Sequence, residues 1–203
     1  MSKTVILIPS RLSATRLPGK PLLKINGVSI ISHVFKKAKE SDIGEVYVAT
    51  EDKEILDDVH LNNGKAILTS NKHKTGSDRI FECFEKLDLK NIDYIINLQG
   101  DEPNIDINDL KHLNKLVHIN KPEIGTLGAE IKDKSSLNNE NIVKVITESK
   151  ITDVNFPIAK DFKRKLKNLE LNTYHHLGIY TYKPEVLKKI IKLKQTNNEI
   201  KNR

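Results

Sequence analysis

The sequence predicts an α/β protein built on a doubly wound, mostly parallel sheet with helices on both faces. Residues 4–8 (TVILI) form a continuous apolar run rich in β-branched residues, which is typical of a strand buried on both faces. A loop containing glycine and proline follows, and residues 29–39 then carry apolar side chains at helical spacing. This order of strand, loop and helix recurs along the chain, which indicates parallel strands joined by right-handed crossovers.

The repeating units divide the chain into alternating strands and helices. After residues 4–8, strands are predicted at 45–50, 66–69, 93–98, 125–131, 142–147 and 173–182. Helices are predicted at 29–39, where Ser29 is a candidate cap, at 52–62, 79–87 and 107–119, and from residue 184 onward. Residues 152–171 are irregular and rich in lysine. We expect a single domain over 1–203, with 152–182 as an arm or dimerisation region.

Composition narrows the class of protein. No stretch of the 203 residues approaches the roughly 20 apolar residues of a membrane span, so we expect no membrane insertion and a cytoplasmic location. The lone cysteine, Cys83, excludes an intramolecular disulfide. The net charge of +7 is uneven, because residues 160–203 hold twelve basic and four acidic residues. Few aromatic residues accompany these lysines, so we expect a solvated face and no nucleic-acid partner.

The loop after the first strand, residues 10–21, is the first candidate site. Arg11, Arg16 and Lys20 supply three cations, and Thr15 is one of several hydroxyls. Ligands of open parallel sheets bind at the carboxyl ends of the strands, where arginine, lysine and backbone amides can hold a triphosphate. The glycine motifs of P-loop and dinucleotide-binding proteins are both absent from the sequence. A basic loop that is only solvated surface is the alternative.

Two further loops follow strands and face the same predicted edge. In residues 97–103 (NLQGDEP), Asp101 is a candidate Mg²⁺ ligand, although Asp101 or Asp106 capping a turn or helix is the alternative. In residues 74–79 (KTGSDR), backbone groups and Arg79 can contact a base or phosphate, and an ordinary cap at Ser77 with Arg79 exposed is the alternative. His175 and His176 point to opposite faces of a predicted strand and cannot chelate one ion together.

These segments combine into a family resemblance. Six motifs occur in order: 11–21 (RLSATRLPGKP), 49–50 (AT), 75–79 (TGSDR), 99–103 (QGDEP), 143–145 (VKV) and 176–180 (HLGIY). With this order and spacing the sequence resembles the CMP-Kdo synthetases, or 3-deoxy-manno-octulosonate cytidylyltransferases, from about residue 4 to 187. The resemblance implies the Rossmann-like fold of nucleotide-diphospho-sugar transferases and a homodimer.

The resemblance also implies a reaction, in which the anomeric hydroxyl of the acidic sugar Kdo attacks CTP to give CMP-Kdo and pyrophosphate for lipopolysaccharide core synthesis. It assigns Mg²⁺ to Asp101, and catalysis to Arg11, Lys20 and Asp101. The implied nucleotide-binding residues are Arg11, Thr15, Arg16, Lys20, Ser77, Arg79 and Gln99. The implied sugar-binding residues are His176 and Tyr180.

Two departures from the family pattern leave alternatives open. The family's Phe-Ser-Arg segment is replaced by residues 154–158 (VNFPI), which lack the arginine. The family's C-terminal helix, strand and turn with a second metal-binding aspartate are expected to be missing here. A cytidylyltransferase for another acidic sugar, such as a nonulosonate or amino-Kdo, and a non-catalytic nucleotide-binding remnant are the alternatives.

Overall fold

The computed structural model describes residues 3–13 and 17–194. Within these residues the strands are β1 Thr4–Ser10, β2 Lys24–Ile25, β3 Val28–Ser29, β4 Gly44–Thr50, β5 Ala66–Leu68, β6 Tyr94–Asn97, β7 Ile124–Glu130, β8 Lys144–Thr147, β9 Ala159–Lys163 and β10 Thr173–Tyr182. The α-helices are α1 Ile30–Glu40, α2 Lys53–Leu61, α3 Gly76–Leu87, α4 Ile107–Asn120 and α5 Pro184–Ile190. Short 3-10 helices cover Lys20–Leu22 and Lys134–Leu137.

The main sheet has the order β5-β4-β1-β6-β10-β8-β9. Its first four strands are parallel, with Thr4 opposite Gly44 and Tyr94 on the two sides of β1. β10 continues the sheet in the antiparallel direction, since its C-terminal end pairs with β6, its N-terminal end with β8, and most of its length with β7. The predicted α/β class is confirmed, and the parallel half brings the loops after β1, β4, β5 and β6 to one edge.

The sheet separates two apolar cores. Ile6 and Ile8 of β1 pack with side chains of α1, α2 and α4 on one face, whereas Val5 and Leu7 pack with α3 and α5 on the other. These four β1 side chains are fully buried. Alternate side chains of a strand point to opposite faces, so the continuous apolar run is explained by helices covering both sides.

Several elements differ from the predicted ones, and the short strands β2 and β3 were not predicted at all. α3 starts at Gly76, one turn before the predicted start, because Thr75 and Asp78 form a capping box in which each side chain accepts from the other's amide. β9 lies inside the segment predicted to be irregular, and it pairs with β8 although most of its residues are exposed. No helix of the described ranges is long and apolar enough to cross a membrane.

Candidate active site

Three loops at the carboxyl edge of the parallel strands meet around Pro9, near the end of β1. A methyl group placed on Gly100 would lie 2.9 Å from the Pro9 carbonyl oxygen, and one on Gly76 would lie 3.2 Å from Pro9 Cγ. The acidic turn after β6 therefore approaches the end of β1 too closely for a side chain at Gly100, and the start of α3 packs tightly against Pro9. This close packing fixes the three loops relative to one another.

Lys20 and Asp101 meet within this cluster. Lys20 Nζ donates to Asp101 Oδ2 at 2.7 Å, with about a third of the lysine side chain and half of the aspartate side chain exposed. Gly19 sets the direction of the lysine, because it precedes the 3-10 turn with φ of 72°, in the left-handed region that glycine adopts without strain. A cation and a carboxylate thus share one solvent-accessible position.

Hydrogen bonds from backbone amides hold the described ends of the first loop together and join the loop to the turn after β4. The Gly19 amide donates to the Leu12 carbonyl at 3.0 Å, and the Leu12 amide donates to Asp52 Oδ2 at 2.7 Å. Arg11, beside this junction, is exposed. Two of the predicted phosphate contacts, Thr15 and Arg16, lie outside the described residues.

Arg79 is buried, and this corrects the alternative interpretation in which Ser77 caps the helix and Arg79 is exposed. Its guanidinium pairs with Glu51, at the end of β4, and donates to Thr69 Oγ1 at 2.8 Å. Only 4% of its side chain is exposed. Its predicted contact with the nucleotide stays a prediction, since the structure shows a group that fastens α3 to the loops after β4 and β5.

Gln99 joins the acidic turn to β10. Its Nε2 donates to the Gly178 carbonyl oxygen at 3.1 Å. Gly178 lies where the pairing of β10 with β7 shifts register between Leu177 and Tyr180. A bulge of this kind redirects the side chains around it, and bulges are frequent beside active sites. The predicted nucleotide residue Gln99 therefore lies next to the strand that carries both predicted sugar residues.

His176 is held as a neutral ring. The Thr126 hydroxyl lies 2.7 Å from the Ile179 carbonyl and 3.2 Å from that of Leu177, so its one proton goes to a carbonyl, and it accepts from His176 Nε2 at 3.0 Å. This pattern assigns the proton to Nε2 and leaves Nδ1 as an acceptor. Burial, with a smaller contribution from His175, lowers the pKa of His176 to about 4. His176 is therefore suited to accept from a hydroxyl and carries no charge near neutral pH.

Aromatic rings extend from His176 along β10. The ring centroid of Tyr180 lies 5.3 Å from that of His176 and 5.9 Å from that of Tyr182, against which it stacks. Burial raises the pKa of Tyr180, and it raises the pKa of Tyr182 to about 12, opposed by hydrogen bonds with the side chains of Ser77 and Asn97. The Ser77 side chain therefore lies near Tyr182, on the same strand as the predicted sugar residues.

The carboxylates of the acidic turn fit a magnesium ion that arrives with a nucleotide. Mg²⁺ in nucleotide enzymes is commonly held by one or two carboxylates together with substrate phosphates and water. Asp101 supplies one exposed carboxylate, and no cluster of three or more His, Cys, Asp or Glu in ranges 3–13 and 17–194 forms a complete metal cage. Burial, together with the charge of Asp101, raises the pKa of neighbouring Glu102. Added positive charge here would relieve the repulsion between the two carboxylates.

Comparison with known proteins identifies the family of the chain. A family model described as cytidylyltransferase matches residues 5–202. A 3-deoxy-manno-octulosonate cytidylyltransferase of Nitrobacter winogradskyi is 39% identical over 95% of this chain and 76% of its own length. One of Thermodesulfovibrio yellowstonii is 40% identical over 97% of this chain and 81% of its own length.

Solved structures show the same relationship. A CMP:2-keto-3-deoxy-manno-octonic acid synthetase complexed with CTP superimposes with a TM-score of 0.87 at 34% identity, covering 99% of this chain and 82% of that one. A cytidylyltransferase of Leptospira borgpetersenii, at 20% identity and a TM-score of 0.62, shares the fold over 98% of this chain and 68% of its own. Fold, site and relatives together define a nucleotidyltransferase. The chain belongs to the cytidylyltransferase family, among the 3-deoxy-manno-octulosonate cytidylyltransferases.

Proposed function

We propose that this enzyme transfers CMP from CTP to the anomeric hydroxyl of Kdo and releases pyrophosphate, the activation step for lipopolysaccharide core synthesis. The observation that carries the proposal is the meeting of Lys20 and Asp101, which brings a phosphate-binding loop and an acidic turn to one accessible position. The named relatives support the choice of CTP and Kdo.

The triphosphate is bound by Arg11, Thr15, Arg16 and Lys20 in this proposal. Phosphoryl transfer depends mainly on positioning and on neutralising charge, so a covalent nucleophile is not required. Lys20 leaves Asp101 and pairs with the phosphates, where its compact ammonium stabilises charge that develops on the departing pyrophosphate. Ser77, Arg79 and Gln99 hold the nucleotide between α3, the acidic turn and β10.

Asp101 is the proposed Mg²⁺ ligand. Once the Lys20 ammonium has moved to the phosphates, the Asp101 carboxylate has both oxygens available to the metal. Bound with the nucleotide, Mg²⁺ neutralises phosphate charge and favours the ionised form of a hydroxyl beside it.

The sugar acid binds against β10 in this proposal. Neutral His176 accepts a hydrogen bond from a sugar hydroxyl at Nδ1, and Tyr180 offers a ring face and a hydroxyl. Neither side chain supplies the positive charge that a carboxylate needs. The sugar carboxylate is therefore matched by the cations of the first loop rather than by β10 itself.

The arm at 152–182 mediates a homodimer in this proposal. The large apolar side chains exposed on it include Val154, Ile158 and Leu171, with exposed fractions of 82%, 66% and 87%. Exposed apolar side chains that are close in sequence favour burial against a partner. Light scattering should give a dimer for the wild type and a monomer for Leu171→Lys combined with Val154→Lys. We place the enzyme in the cytoplasm, the compartment that supplies CTP.

The test is pyrophosphate release by the purified protein. CTP, UTP and ATP are each supplied with Kdo and Mg²⁺, and CTP is then supplied with amino-Kdo and with a nonulosonic acid. We expect release only with CTP and with Kdo as the preferred acid. A preference for another acid would replace the sugar in the proposal, and CTP binding without release would replace the transferase with a nucleotide-binding protein.

A further inference from the structure

The side chain of Asp52 does not cap the helix that it precedes. Asp52 is the N-cap residue of α2, with ordinary capping dihedrals of φ −95° and ψ 122°, yet its side chain accepts no hydrogen bond from the described amides of α2. Aspartate at this position normally accepts a hydrogen bond from an amide in the first turn, which stabilises the helix. The carboxylate is instead turned across the sheet edge to another loop.

The Asp52 carboxylate instead binds a backbone amide of the first loop. Asp52 Oδ2 accepts from the Leu12 amide at 2.7 Å, across a sequence separation of 40 residues. The Leu12 carbonyl accepts from Gly19, and Gly19 leads directly into Lys20. Leu12 therefore has both backbone groups fixed, one by Asp52 and one by the residue before the lysine that pairs with Asp101.

Glu51, the residue before Asp52, holds a second segment, the start of α3. Glu51 pairs with Arg79 of α3, while Asp52 holds Leu12. The two consecutive carboxylates after β4 thus brace the two candidate nucleotide loops from one short turn. Because β4 and β1 are paired along seven residues, ending at Ser10 opposite Thr50, this turn has a fixed position from which to hold them.

We propose that Asp52 is a positioning residue for the CTP reaction, which sets the place of the triphosphate loop through the amide of Leu12. This inference rests on the proposed function, since it concerns the same nucleotide site. Misplacing a binding group by about 1 Å can reduce a rate by about 100-fold. The charge of Asp52 alone predicts the opposite effect, because removing a carboxylate beside an anion site favours binding of an anion.

Two substitutions that remove the charge of Asp52 distinguish a positioning role from an effect of charge and from an effect on protein stability. Asp52→Ser keeps a good capping residue for α2, but its hydroxyl is too short to reach the Leu12 amide. Asp52→Asn removes the same charge and keeps an oxygen at the distance of Oδ2. Asp57→Ser is the matched control, because it removes an exposed carboxylate of the same helix that pairs with Lys53.

The measurements are steady-state kinetics for each substrate, CTP binding by calorimetry, thermal unfolding, and hydrogen exchange of the Leu12 amide. For Asp52→Ser we expect about a tenfold rise in the KM for CTP, an unchanged KM for Kdo, and Leu12 exchange at least about tenfold faster, with Tm within about 2 °C of the wild type. Asp52→Asn and Asp57→Ser should match the wild type in the KM for CTP and in Leu12 exchange.

Three results would overturn the inference: Asp52→Ser with wild-type CTP kinetics, tighter CTP binding in both neutral variants, or a loss of kcat that follows a lowered Tm with both KM values unchanged. A wild-type protein that releases no pyrophosphate would overturn the proposed function instead. In that case CTP binding and Leu12 exchange still decide whether Asp52 positions the loop.

Discussion

Lys20 and Asp101 are 81 residues apart in the sequence, and their side chains form an ion pair with Nζ 2.7 Å from Oδ2. The pair joins the loop after β1 to the turn after β6 at the edge where parallel strands present ligand-binding loops. Both side chains remain accessible, and in our proposal the pair opens when a nucleotide with its metal ion binds.

Replacing Lys20 should affect activity far more than stability. Exposed ion pairs contribute about 0–1 kcal/mol, so Lys20→Met should change Tm by no more than a few degrees. Pyrophosphate release should fall by about 100-fold or more, because the variant loses the cation that we propose stabilises the leaving group. Lys65→Met is the control, since Lys65 pairs with Glu45 at the opposite end of β4. Equal activity in the two variants would contradict the assignment of Lys20.

Replacing Glu51 should affect stability directly. Arg79 is 4% exposed and Glu51 15% exposed, so Glu51→Gln leaves a buried guanidinium without its counter-charge. We expect a loss of about 2–4 kcal/mol in the free energy of unfolding, measured in urea. Glu45→Gln removes a carboxylate from an exposed pair and should cost less than about 1 kcal/mol. Similar losses in both variants would show that the Arg79 pair is not structurally important.

A methyl group at Gly100 should displace the acidic turn. It would lie 2.9 Å from the Pro9 carbonyl oxygen and 3.2 Å from Ile31 Cδ1, so Gly100→Ala should destabilise the protein by about 1–3 kcal/mol. Gly178→Ala is the control, because its nearest contact would be Gln99 Nε2 at an ordinary 3.5 Å. Denaturant unfolding of the two variants compares them, and a Gly100→Ala protein as stable as Gly178→Ala would contradict the close packing.

The free energy of unfolding should fall as the pH is lowered from 6.5 to 5.5, a higher pH range than the titration of carboxylates alone predicts. The pKa of His176 is lowered from 6.5 to about 4, so in this range the unfolded chain binds a proton that the folded protein excludes. Stability present above pH 6.5 is therefore lost as the pH falls, by about 1 kcal/mol over this unit. Glu82, with its pKa lowered from 4.5 to about 2, contributes its loss only below this range.

The variant His176→Gln isolates this effect, because it cannot take up the proton. The free energy of unfolding of both proteins is measured in urea at pH 7.5, 6.5 and 5.5. The wild type should lose about 1 kcal/mol more than the variant between pH 6.5 and 5.5. Parallel pH profiles would contradict the low pKa of His176. Burial also lowers the pKa values of His118 and His175, and both proteins share their contribution.

Local patterns predicted most of the parallel half of the fold. Ser29 caps α1 as its position before an apolar stripe predicts, and its hydroxyl accepts from the Ser32 amide. Apolar spacing predicts a start of α3 at residue 79, later than the observed Gly76, because this spacing does not reveal the capping box of Thr75 and Asp78. β9 has no apolar alternation, since residues 159–162 are exposed and the strand is held by backbone pairing with β8.

The site was predicted as a meeting of loops, without its individual contacts. The rule that ligands bind at the carboxyl edge of parallel strands was enough to place Lys20 near Asp101. Two contacts, from Asp52 to Leu12 and from Glu51 to Arg79, cross 40 and 28 residues and leave no periodic signal in the sequence. The tautomer of His176 depends on Thr126, which is 50 residues away in β7. Such contacts follow from strand order, which local patterns do not specify.

The central claim is that the first loop and the acidic turn hold one magnesium-bound triphosphate. Calorimetric titration of CTP with and without Mg²⁺, into the wild type and into Asp101→Asn, tests it most directly. We predict that Mg²⁺ tightens CTP binding to the wild type by about tenfold or more, and that Asp101→Asn loses this gain while keeping its Tm. Equal tightening by Mg²⁺ in both proteins would contradict the claim.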